Sequence, residues 1–405
     1  MIMQNINILV LGENPKGKYT DIGADFTNML VKDSAHFIEY SDIYLIHGFK
    51  YTHQYIIDYV RNHCINVIIL TQATLYLDVE FFHALQKNVF MVLTVSDTEH
   101  YFEVIDQYLA QTMDLVLVTD FATPGMLKCM GIDTFTYWGI FSSLKFKKIF
   151  GVSKSIDISF VGLIKDKFLR ASYIDYLKSN GVEVDIYGDD SSKGRISFDE
   201  KINLYNTSKI NLNFSGVAEK TRFTRNLNIH KRRFQIKARV FEAALCGGFV
   251  LTEYAYGIEN LFIPGQEIET FIDRDELLDK SCYYLKNDDQ REKIALKGYQ
   301  RAIKDFDALT AVPRLINEID IRRRKKKNIY PVLYLDKTFL INYVTFRFFL
   351  ICKFIKSGKL RCMVEEILII LKHRSIDLYQ VRVYLFEEII YKICFFKKIR
   401  DLLRG

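Results

Sequence analysis

The chain has little proline and tryptophan, and it lacks the short motifs of several enzyme classes. Its 405 residues include five prolines and one tryptophan, and its seven cysteines form neither a CxxC pair nor a metal-like spacing with histidine. The segment 12–17 (GENPKG) lacks the Gly-Lys-Ser/Thr ending of a P-loop, and nothing suggests a Ser-His-Asp constellation. The sequence therefore predicts reduced, structural thiols and argues against a P-loop NTPase.

A secretory signal is also missing, because the apolar run 6–11 near the N-terminus predicts a strand that stops at Gly12. We therefore expect a cytoplasmic protein. Hydrophobic residues make up 49% of the chain and charged residues 26%, which is typical of a globular protein and not of a disordered one. The length allows two domains and an appendage, at about 100–200 residues per domain.

The net charge of +7 is divided unevenly along the chain. Residues 321–405 carry 20 Lys and Arg against 7 Asp and Glu, a net +13, which leaves 36 against 42, a net −6, in the first 320 residues. A mildly acidic body with a strongly basic tail indicates that the tail meets an anionic partner. We expect a membrane surface and not nucleic acid.

The first part of the chain alternates apolar runs with helical patterns, which predicts an α/β domain with a mostly parallel sheet. The predicted strands are 7–11, 43–46, 67–70, 90–95, 115–118 and 134–137, with helices such as 52–62 and 79–86 between them. A segment rich in serine and lysine, 141–155, is the predicted linker. Residues 1–145 would form the first domain.

The same alternation begins again after the linker and predicts a second α/β domain at 156–320. Its predicted strands are 158–161, 184–187, 210–213, 249–252 and 268–271. Ligands of open α/β sheets bind beyond the carboxyl ends of the strands. The residues that follow the predicted strands are therefore candidates for a site, and they include Gly162, Gly188, Glu253, Asp97 and Asp120. Two such sheet edges that face each other would form a deep polar cleft.

The segment 239–253 (RVFEAALCGGFVLTE) is the most informative stretch of the chain. It predicts a short amphipathic helix, a turn at Gly247 and Gly248, and a buried strand that ends at Glu253. A carboxylate at Glu242, held on the helix, can accept hydrogen bonds from two vicinal hydroxyls, as a ribose presents. Arg239, one turn earlier, can meet a phosphate with its planar guanidinium.

This segment resembles the donor-binding helix and strand of GT-B glycosyltransferases, most closely the branch related to the spore-maturation protein CgeB. The likeness extends from about residue 157 to about 317. Further motifs follow the order of that branch: 157–162 (DISFVG), 184–188 (VDIYG), 205–214 (YNTSKINLNF), 226–229 (NLNI) and 283–298 (YYLKNDDQREKIALKG). The resemblance implies two Rossmann-like domains that face a cleft, an acceptor domain followed by a nucleotide-sugar domain.

The resemblance also implies roles for single residues. Tyr187 and Gly188 would form the slot for the base, Glu242 would hold the ribose, and arginines would neutralise the diphosphate. The predicted donor site comprises Gly162, Tyr187, Gly188, Arg222, Arg225, Arg239, Glu242, Gly247, Gly248 and Glu253. Alternatively, Tyr187 ends an ordinary strand, Glu242 faces solvent, and the cations around 220–233 belong to a solvated loop. No tightly bound metal or other cofactor is expected.

The catalytic residue would lie on the acceptor side of the cleft. Many GT-B families place a second glutamate eight residues before the helix glutamate, but this chain has Phe234 there, which argues against retaining chemistry of that type. An inverting enzyme needs a general base. Asp97, directly after a predicted strand, is the candidate, and His47 and Asp120 are weaker ones. Alternatively, Asp97 caps the next helix.

The tail, 321–405, is predicted to be a basic helical extension. It begins with six consecutive cations at 322–327 (RRRKKK), followed by the apolar stretch 339–355, which is short and contains two cations. That stretch suits a helix in the headgroup layer better than one across about 30 Å of hydrocarbon. The alternative is a helical bundle that caps the enzyme or makes a dimer contact.

These observations predict a glycosyltransferase that moves a sugar from a nucleotide-sugar to a hydroxyl of a glycan or lipid-linked glycan, in the synthesis of a cell-surface polysaccharide. The enzyme would be cytoplasmic and peripheral at the inner face of the membrane. Two alternatives stay open. A nucleotide-sugar epimerase of the same fold would turn over donor without an acceptor, and a non-catalytic scaffold would tolerate Glu242→Ala.

Overall fold

The computed structural model of the protein describes residues 6–12, 22–32, 36–71, 78–164, 168–189, 191–217, 234–326, 330 and 332–385. Two parallel sheets, each flanked by helices, confirm the predicted α/β class and its division into two Rossmann-like domains. A set of C-terminal helices follows the second sheet.

The first domain contains a six-stranded parallel sheet. Its strands are β1 Ile8–Gly12, β2 His36–Glu39, β3 Val67–Leu70, β4 Phe90–Thr94, β5 Leu115–Val118 and β6 Thr134–Thr136, in the order β2-β1-β3-β4-β5-β6. Its helices are α1 Ile22–Lys32, α2 Tyr40–His47, α3 Phe49–Asn62, α4 Val79–Leu85, α5 Thr98–Tyr101, α6 Gln107–Ala110 and α7 Thr123–Cys129, with a π-helical turn at Phe102–Asp106. Strands β3 and β5 are buried throughout, because helices cover both faces of the sheet.

One predicted strand of this domain is wrong. Residues 43–46 lie inside α2, and the strand next to β1 is β2, which the sequence analysis missed. Tyr40 and Tyr44 are one helical turn apart and both are buried, so the helix places them on one face. A short apolar run fits a strand and a buried helix equally well, which explains the error.

His53, on α3, lies against the ring of Phe81, with ring centroids 3.9 Å apart and ring planes 1° apart. Burial lowers the pKa of the His53 imidazole to about 4, from an ordinary value of 6.5. Between these two pH values the unfolded chain binds a proton that the folded chain does not. The contribution of His53 to stability is therefore complete above pH 6.5 and is lost as the pH falls toward 4.

We predict that His53→Gln weakens the acid dependence of stability. Between about pH 7 and pH 5, the wild type should lose roughly 1–2 kcal/mol more unfolding free energy than the variant. Urea denaturation of both proteins at the two pH values measures this difference. Equal losses would show that the imidazole takes up its proton as readily in the folded protein as in the unfolded chain.

The second domain contains a five-stranded parallel sheet. Its strands are β7 Ile156–Val161, β8 Asp185–Tyr187, β9 Ser208–Asn213, β10 Val250–Glu253 and β11 Glu269–Phe271, in the order β11-β10-β9-β7-β8. Its helices are α8 Phe168–Ser179, α9 Phe198–Thr207, α10 Ala238–Leu245, α11 Arg274–Lys286 and α12 Asp288–Asp305. Ser197 and Glu200 form a capping box that fixes the start of α9 beside the end of β8.

Over the residues that the structure describes, the chain passes between the domains twice. The first crossing packs on the second domain, where Trp138 stacks on Phe241 with ring centroids 4.3 Å apart. The second crossing leads into α13 Ala308–Arg324, which packs against the first sheet, with Ala311 and Leu315 in one cluster with Val10. Helix α13 therefore crosses the predicted boundary at residue 320 and belongs by its packing to the first domain.

The predicted C-terminal extension comprises α14 Lys337–Lys356, α15 Leu360–His373 and α16 Leu378–Tyr384. Helix α14 is long and apolar enough to cross a membrane by length and composition, but half of that stretch is buried within the fold. Phe339 of α14 packs on Tyr108 of the first domain, with ring centroids 4.7 Å apart. The extension thus caps the first domain, as one of the two sequence-based interpretations predicts.

A fully buried ion pair holds the extension in place. The Arg347 Nη1 atom lies 3.2 Å from the Glu366 Oε2 atom, and both side chains have no exposed surface. The Arg347 Nη2 atom donates to the Tyr343 hydroxyl at 2.6 Å, and Arg347 also donates to the hydroxyl of Tyr44 on α2. Tyr44 in turn donates to Glu366 at 2.6 Å. This network joins α14, α15 and the first domain.

Candidate functional site

A cavity of about 330 Å³ opens at the carboxyl edge of the second sheet, where β7 and β8 end. We call it the edge cavity. It is lined by Val161, Gly162, Leu163, Tyr187, Gly188, Asp189, Arg195, Ile196, Ser197, Phe198 and Lys201. Its volume lies in the range of small-molecule sites, and its position beyond the strand ends is where open α/β sheets bind ligands. Three predicted donor residues, Gly162, Tyr187 and Gly188, come together here.

Gly162 lets the backbone pass close to a cation. Its φ of +154° is one that side chains rarely adopt, and its N–H donates to the Tyr187 carbonyl at 2.8 Å. A Cβ atom at this position would lie 2.9 Å from the ring of Phe160 and 3.2 Å from the Arg239 Nη1 atom. The end of β7 therefore requires glycine, and the guanidinium of Arg239 lies directly behind it.

Arg239 is held on the first turn of α10 and points to the carboxyl edge of the sheet. Its Nε atom donates to the Asn213 Oδ1 atom at the end of β9 at 3.0 Å, and its guanidinium lies 5.4 Å from the centre of the Phe160 ring. Burial lowers the pKa of Arg239, although arginine stays protonated in proteins. A half-buried, fixed cation at this edge can bind an anion, as the sequence predicts.

Arg170, which the sequence analysis missed, adds a second cation. It lies on α8 with 7% of its surface exposed, and it donates to the Leu163 carbonyl. Its guanidinium lies 5.1 Å from the centre of the Phe160 ring, so Arg170 and Arg239 share that ring as a neighbour. Two guanidiniums close to the end of β7 make this edge electropositive.

Glu242 faces α9 and is 4% exposed. Its Oε2 atom accepts from the Tyr205 hydroxyl at 2.7 Å, and both carboxylate oxygens lie 3.3–3.4 Å from the Lys201 Nζ atom. From the sequence, this carboxylate is expected to face the cleft. Instead, Lys201 lies between the Glu242 carboxylate and the edge cavity, because it both contacts Glu242 and lines that cavity. Direct binding of a ribose by Glu242 stays a prediction.

Glu253 stabilises the loop after β9. Its Oε2 atom accepts from the backbone N–H groups of Ser215 and Gly216 at 2.9 and 3.0 Å, and the Ser215 hydroxyl donates to its carbonyl at 2.6 Å. Burial raises the pKa of the Glu253 carboxyl, and these N–H groups and Arg170 oppose that shift. The carboxylate is thus engaged within the protein, although it lies at the predicted edge.

Gly247 and Gly248 require a correction. They precede β10, so they lie at the amino edge of the sheet, opposite the edge cavity. Gly247 has φ +71° and lies against Lys148, while a Cβ atom on Gly248 would lie 2.4 Å from the Asn211 Nδ2 atom. Both glycines serve the tight turn between α10 and β10. A donor at the carboxyl edge would not touch them.

Asp97 lies where the two domains meet. It follows β4, and its Oδ1 atom accepts from the Gln235 Nε2 atom of the second domain at 2.6 Å. Gln235 lies four residues before Arg239, and Lys237 donates to its Oε1 atom. Asp97 has a left-handed backbone with φ +55°, and its side chain makes no cap hydrogen bond to α5. The helix-capping alternative is therefore wrong.

The two weaker candidates for a base have other surroundings. From the sequence, His47 is a candidate base because it follows the predicted strand 43–46, but it ends helix α2. Its ring packs on Tyr51, with ring centroids 4.3 Å apart. Asp120 accepts from the N–H groups of Ala122 and Thr123 at 2.8 and 2.7 Å and from the Thr98 hydroxyl at 2.6 Å. It stabilises the start of α7.

Two predicted donor residues, Arg222 and Arg225, lie outside the described residues. Phe234, at the position of the second glutamate of other families, is described and is 46% exposed. Within the described part of the chain, no group of three or more His, Cys, Asp or Glu side chains is arranged to hold a metal ion.

Comparison with known proteins agrees with this geometry. Residues 170–315 match the family model described as glycosyl transferase-like. No curated protein matches the chain. Similar solved structures include a glycosyltransferase from Rickettsia africae ESF-5, with 12% identity and a TM-score of 0.53 over 80% of this chain and 100% of that chain.

Two further structures each match 78% of this chain and 100% of their own at 11% identity. They are HepE from Anabaena in complex with UDP and glucose, with a TM-score of 0.54, and sucrose-phosphate synthase from Thermosynechococcus elongatus, with a TM-score of 0.50. At these identities the likeness shows the fold. The chain thus has the two-domain GT-B fold, and its residues 170–315 form a glycosyl transferase-like domain.

Proposed function

We propose that the protein is a glycosyltransferase that transfers a sugar from a nucleotide-sugar to a hydroxyl of a glycan or lipid-linked glycan. The observation that carries this proposal is the edge cavity, which lies at the carboxyl edge of the second sheet with the guanidinium of Arg239 behind it. A nucleoside diphosphate combines a flat base with a dense negative charge, and this site offers a slot and a cation side by side.

The base of the donor occupies the edge cavity in this proposal. Tyr187 and Gly188 form one wall, and the loop that follows is closed by a hydrogen bond from the Gly188 N–H to the Gly194 carbonyl at 3.0 Å. Lys193 lies 5.2 Å from the centre of the Tyr187 ring and bonds Asp185 at 2.6 Å, which holds this wall. A rigid slot can discriminate between bases by its shape.

The diphosphate lies at the end of β7, beside Gly162. Without a side chain at this position, a phosphate can approach the backbone and the guanidinium of Arg239 together. Arg170 acts as a positioning residue, because it fixes the Leu163 carbonyl and adds positive charge without reaching the surface. These cations stabilise the leaving diphosphate as the glycosidic bond breaks.

The ribose lies between the base and the diphosphate, next to Lys201 and Glu242. The contacts between Lys201 and Glu242 are long, at 3.3–3.4 Å, and the lysine is the part of this pair that lines the cavity. A ribose that displaces the ammonium would bring its vicinal hydroxyls to the carboxylate. Tyr205 would keep the carboxylate oriented during this exchange.

The transfer itself is an inverting displacement in which Asp97 is the general base. The Asp97 carboxylate takes the proton of the acceptor hydroxyl while the oxygen of that hydroxyl attacks the anomeric carbon. The bond between that carbon and the diphosphate oxygen breaks, and the nucleoside diphosphate leaves with the electron pair. Asp97 suits this role because it projects from the first domain toward the segment that leads into α10.

The remaining features of the proposal follow from the sequence. The enzyme needs no tightly bound metal, since arginines can supply the positive charge, and it is cytoplasmic. The order of motifs between 157 and 298 supports the CgeB-like branch, and a role in the synthesis of a cell-surface polysaccharide goes with a lipid-linked acceptor.

A thermal-shift screen with nucleoside diphosphates tests this proposal. The matching diphosphate at a hundredfold excess over its Kd should stabilise the protein by about 2.7 kcal/mol and raise Tm by several degrees. The nucleoside without phosphates should give a smaller shift. Arg239→Gln should weaken binding of the diphosphate about tenfold or more, because a charge-assisted contact is lost.

Arg61→Gln is the matched control, since Arg61 is an exposed arginine on α3 of the first domain. It should leave the shift unchanged. If none of the common nucleoside diphosphates stabilises the wild type, the protein does not bind a nucleotide-sugar in this way. If Arg239→Gln and Arg61→Gln behave alike, the diphosphate does not lie at the end of β7.

A further inference from the structure

Helix α15 has its polar and apolar residues on the opposite sides from those of a usual surface helix. Its buried residues include two carboxylates, and those residues are Cys362, Glu365, Glu366 and Ile369. Its exposed residues are four aliphatic side chains, with Leu360 64%, Val364 48%, Leu368 52% and Leu371 59% exposed, together with Arg361 and Lys372. A surface helix in water normally turns its apolar stripe to the core and its charges outward. This helix does the reverse.

The outward aliphatic side chains form one continuous surface, which we call the α15 stripe (Leu360, Val364, Leu368 and Leu371). Their spacings of four, four and three residues keep them on one line along the helix. Exposed apolar residues also lie in the segments before and after the helix, with Ile355 56%, Ile376 45% and Leu378 80% exposed. A contiguous apolar patch of this kind marks an interaction surface.

Exposed cations lie before, beside and after the α15 stripe: Lys353, Lys356, Arg361, Lys372 and Arg374. Two of them form ion pairs: Arg361, whose side chain is 88% exposed, lies 3.5 Å from Glu365, and Lys372 lies 2.6 Å from Glu80. The two carboxylates of α15 are buried, and one of them, Glu366, is bonded to Arg347. An apolar stripe bordered by cations is complementary to an anionic surface with an apolar layer beneath it.

The six-cation run at 322–327 also forms ion pairs within the protein. Arg322 bonds Asp133 at 2.8 Å and also Glu318, and Lys326 bonds Asp114 at 2.9 Å. Arg323 and Arg324 both bond Asp320 at 2.7 Å. Four of the six cations are therefore paired within the protein. That this run meets the lipid stays a prediction, and α15 offers a further surface of the tail.

We propose that the α15 stripe docks on the surface of a bilayer that contains anionic phospholipids. The leucines and the valine enter the boundary between headgroups and acyl chains, and the surrounding lysines and arginines contact the phosphates. Helix α15 lies in the interface and does not span the bilayer, because 14 residues reach only about 21 Å against about 30 Å of hydrocarbon. Its buried face remains packed on the first domain.

This geometry brings the first domain to the membrane. Lys359 donates to the Leu45 carbonyl at 2.8 Å, and Gly48 lies against Cys362, so α15 lies beside the junction of α2 and α3. Ile46, Tyr51 and Tyr55 are exposed on those two helices. Tyrosines are favoured where water meets lipid. The inference concerns only this surface and does not depend on the transfer reaction.

Co-sedimentation of the full chain with lipid vesicles tests the proposal. We expect binding to phosphatidylcholine vesicles that contain phosphatidylglycerol at low salt, weak binding to phosphatidylcholine alone, and release as salt rises. The double variant Leu368→Gln/Leu371→Gln should lower the partition coefficient on anionic vesicles by about tenfold or more, because two half-exposed leucines no longer transfer from water. The control Ile272→Gln/Leu296→Gln changes two similarly exposed residues of the second domain and should bind as the wild type does.

Three results would overturn the proposal. The first is an absence of the predicted lipid binding: either the wild type does not sediment with anionic vesicles at low salt, or the stripe variant sediments as well as the wild type. The second is a wild-type dimer that the stripe substitutions convert to a monomer, which would identify a second copy as the partner. The third is a large loss of Tm in the stripe variant without vesicles, which would show that another segment of the same chain covers the stripe.

Discussion

Asp97→Asn is expected to lower kcat by about 10²–10⁴-fold, the usual contribution of a general base. An amide cannot take the proton of the acceptor hydroxyl, whereas the rest of the site would be unchanged. The measurement is the release of nucleoside diphosphate from sugar donors that carry the nucleotide identified in the thermal-shift screen. The variant should keep the same thermal shift with nucleoside diphosphate, since Asp97 belongs to the acceptor side of the cleft.

The asparagine variant is a sharp test because it preserves the structural roles of Asp97. The amide oxygen can still accept the hydrogen bond from Gln235, which the wild type makes at 2.6 Å. Asparagine also tolerates the left-handed backbone at this position, where φ is +55°. Loss of activity would therefore report on the proton and not on the contact between the domains.

Gln235→Ala provides the matched control. It removes the hydrogen bond to Asp97 but leaves the carboxylate in place, so its effect on kcat should be much smaller than that of Asp97→Asn. Nearly full activity of Asp97→Asn would rule out Asp97 as the base. Equal losses in the two variants would assign Asp97 to holding the domains together.

Arg347→Met is expected to destabilise the protein by about 3–5 kcal/mol, because it leaves the buried carboxylate of Glu366 without its cation. Burial already raises the pKa of Glu366, and Arg347 opposes that shift. Without the arginine the carboxyl should bind a proton at higher pH, so the variant should suffer less in acid than at neutral pH. Denaturant unfolding followed by circular dichroism at both pH values measures this loss.

A second substitution separates the charge from the packing. Glu366→Gln in the Arg347→Met background removes the unpaired charge but keeps an acceptor for Tyr44, so the double variant should regain much of the lost stability. Protease cleavage at the exposed Ser357–Gly358 turn between α14 and α15 should rise in the single variant, since this network fastens both helices to the first domain. No recovery in the double variant would show that packing, not charge, dominates.

Much of the fold could be predicted because buried parallel strands are short apolar runs. Strands β3 and β5 coincide with the predicted residues 67–70 and 115–118. The error at 43–46 has the same origin, since a helix that packs on the core can also contain a short apolar run. The return of α13 to the first domain could not be predicted, because local sequence does not tell which sheet a helix covers.

The same reasoning explains which site residues were found. Gly162 and Gly188 directly follow strands and Tyr187 ends one, and the strand ends share one edge of a parallel sheet. Arg170 and Lys201 lie on helices, and their relation to the site depends on how each helix is rotated against the sheet. Nothing in their sequence neighbourhood distinguishes them from solvent-exposed cations. Gly247 and Gly248 belong to the same motif, 239–253, as Arg239. The helix of this motif begins at the carboxyl edge of the sheet, whereas its turn lies at the amino edge, so the two glycines lie far from the predicted donor.

The return of α13 also determines the order in which the protein can fold during synthesis. The first domain has its strands before residue 137, but α13, α14 and α15 complete its core. The second domain is complete once α12 ends at Asp305. A growing chain therefore completes its second domain first, while both faces of the earlier sheet still lack helices that the ribosome has yet to release.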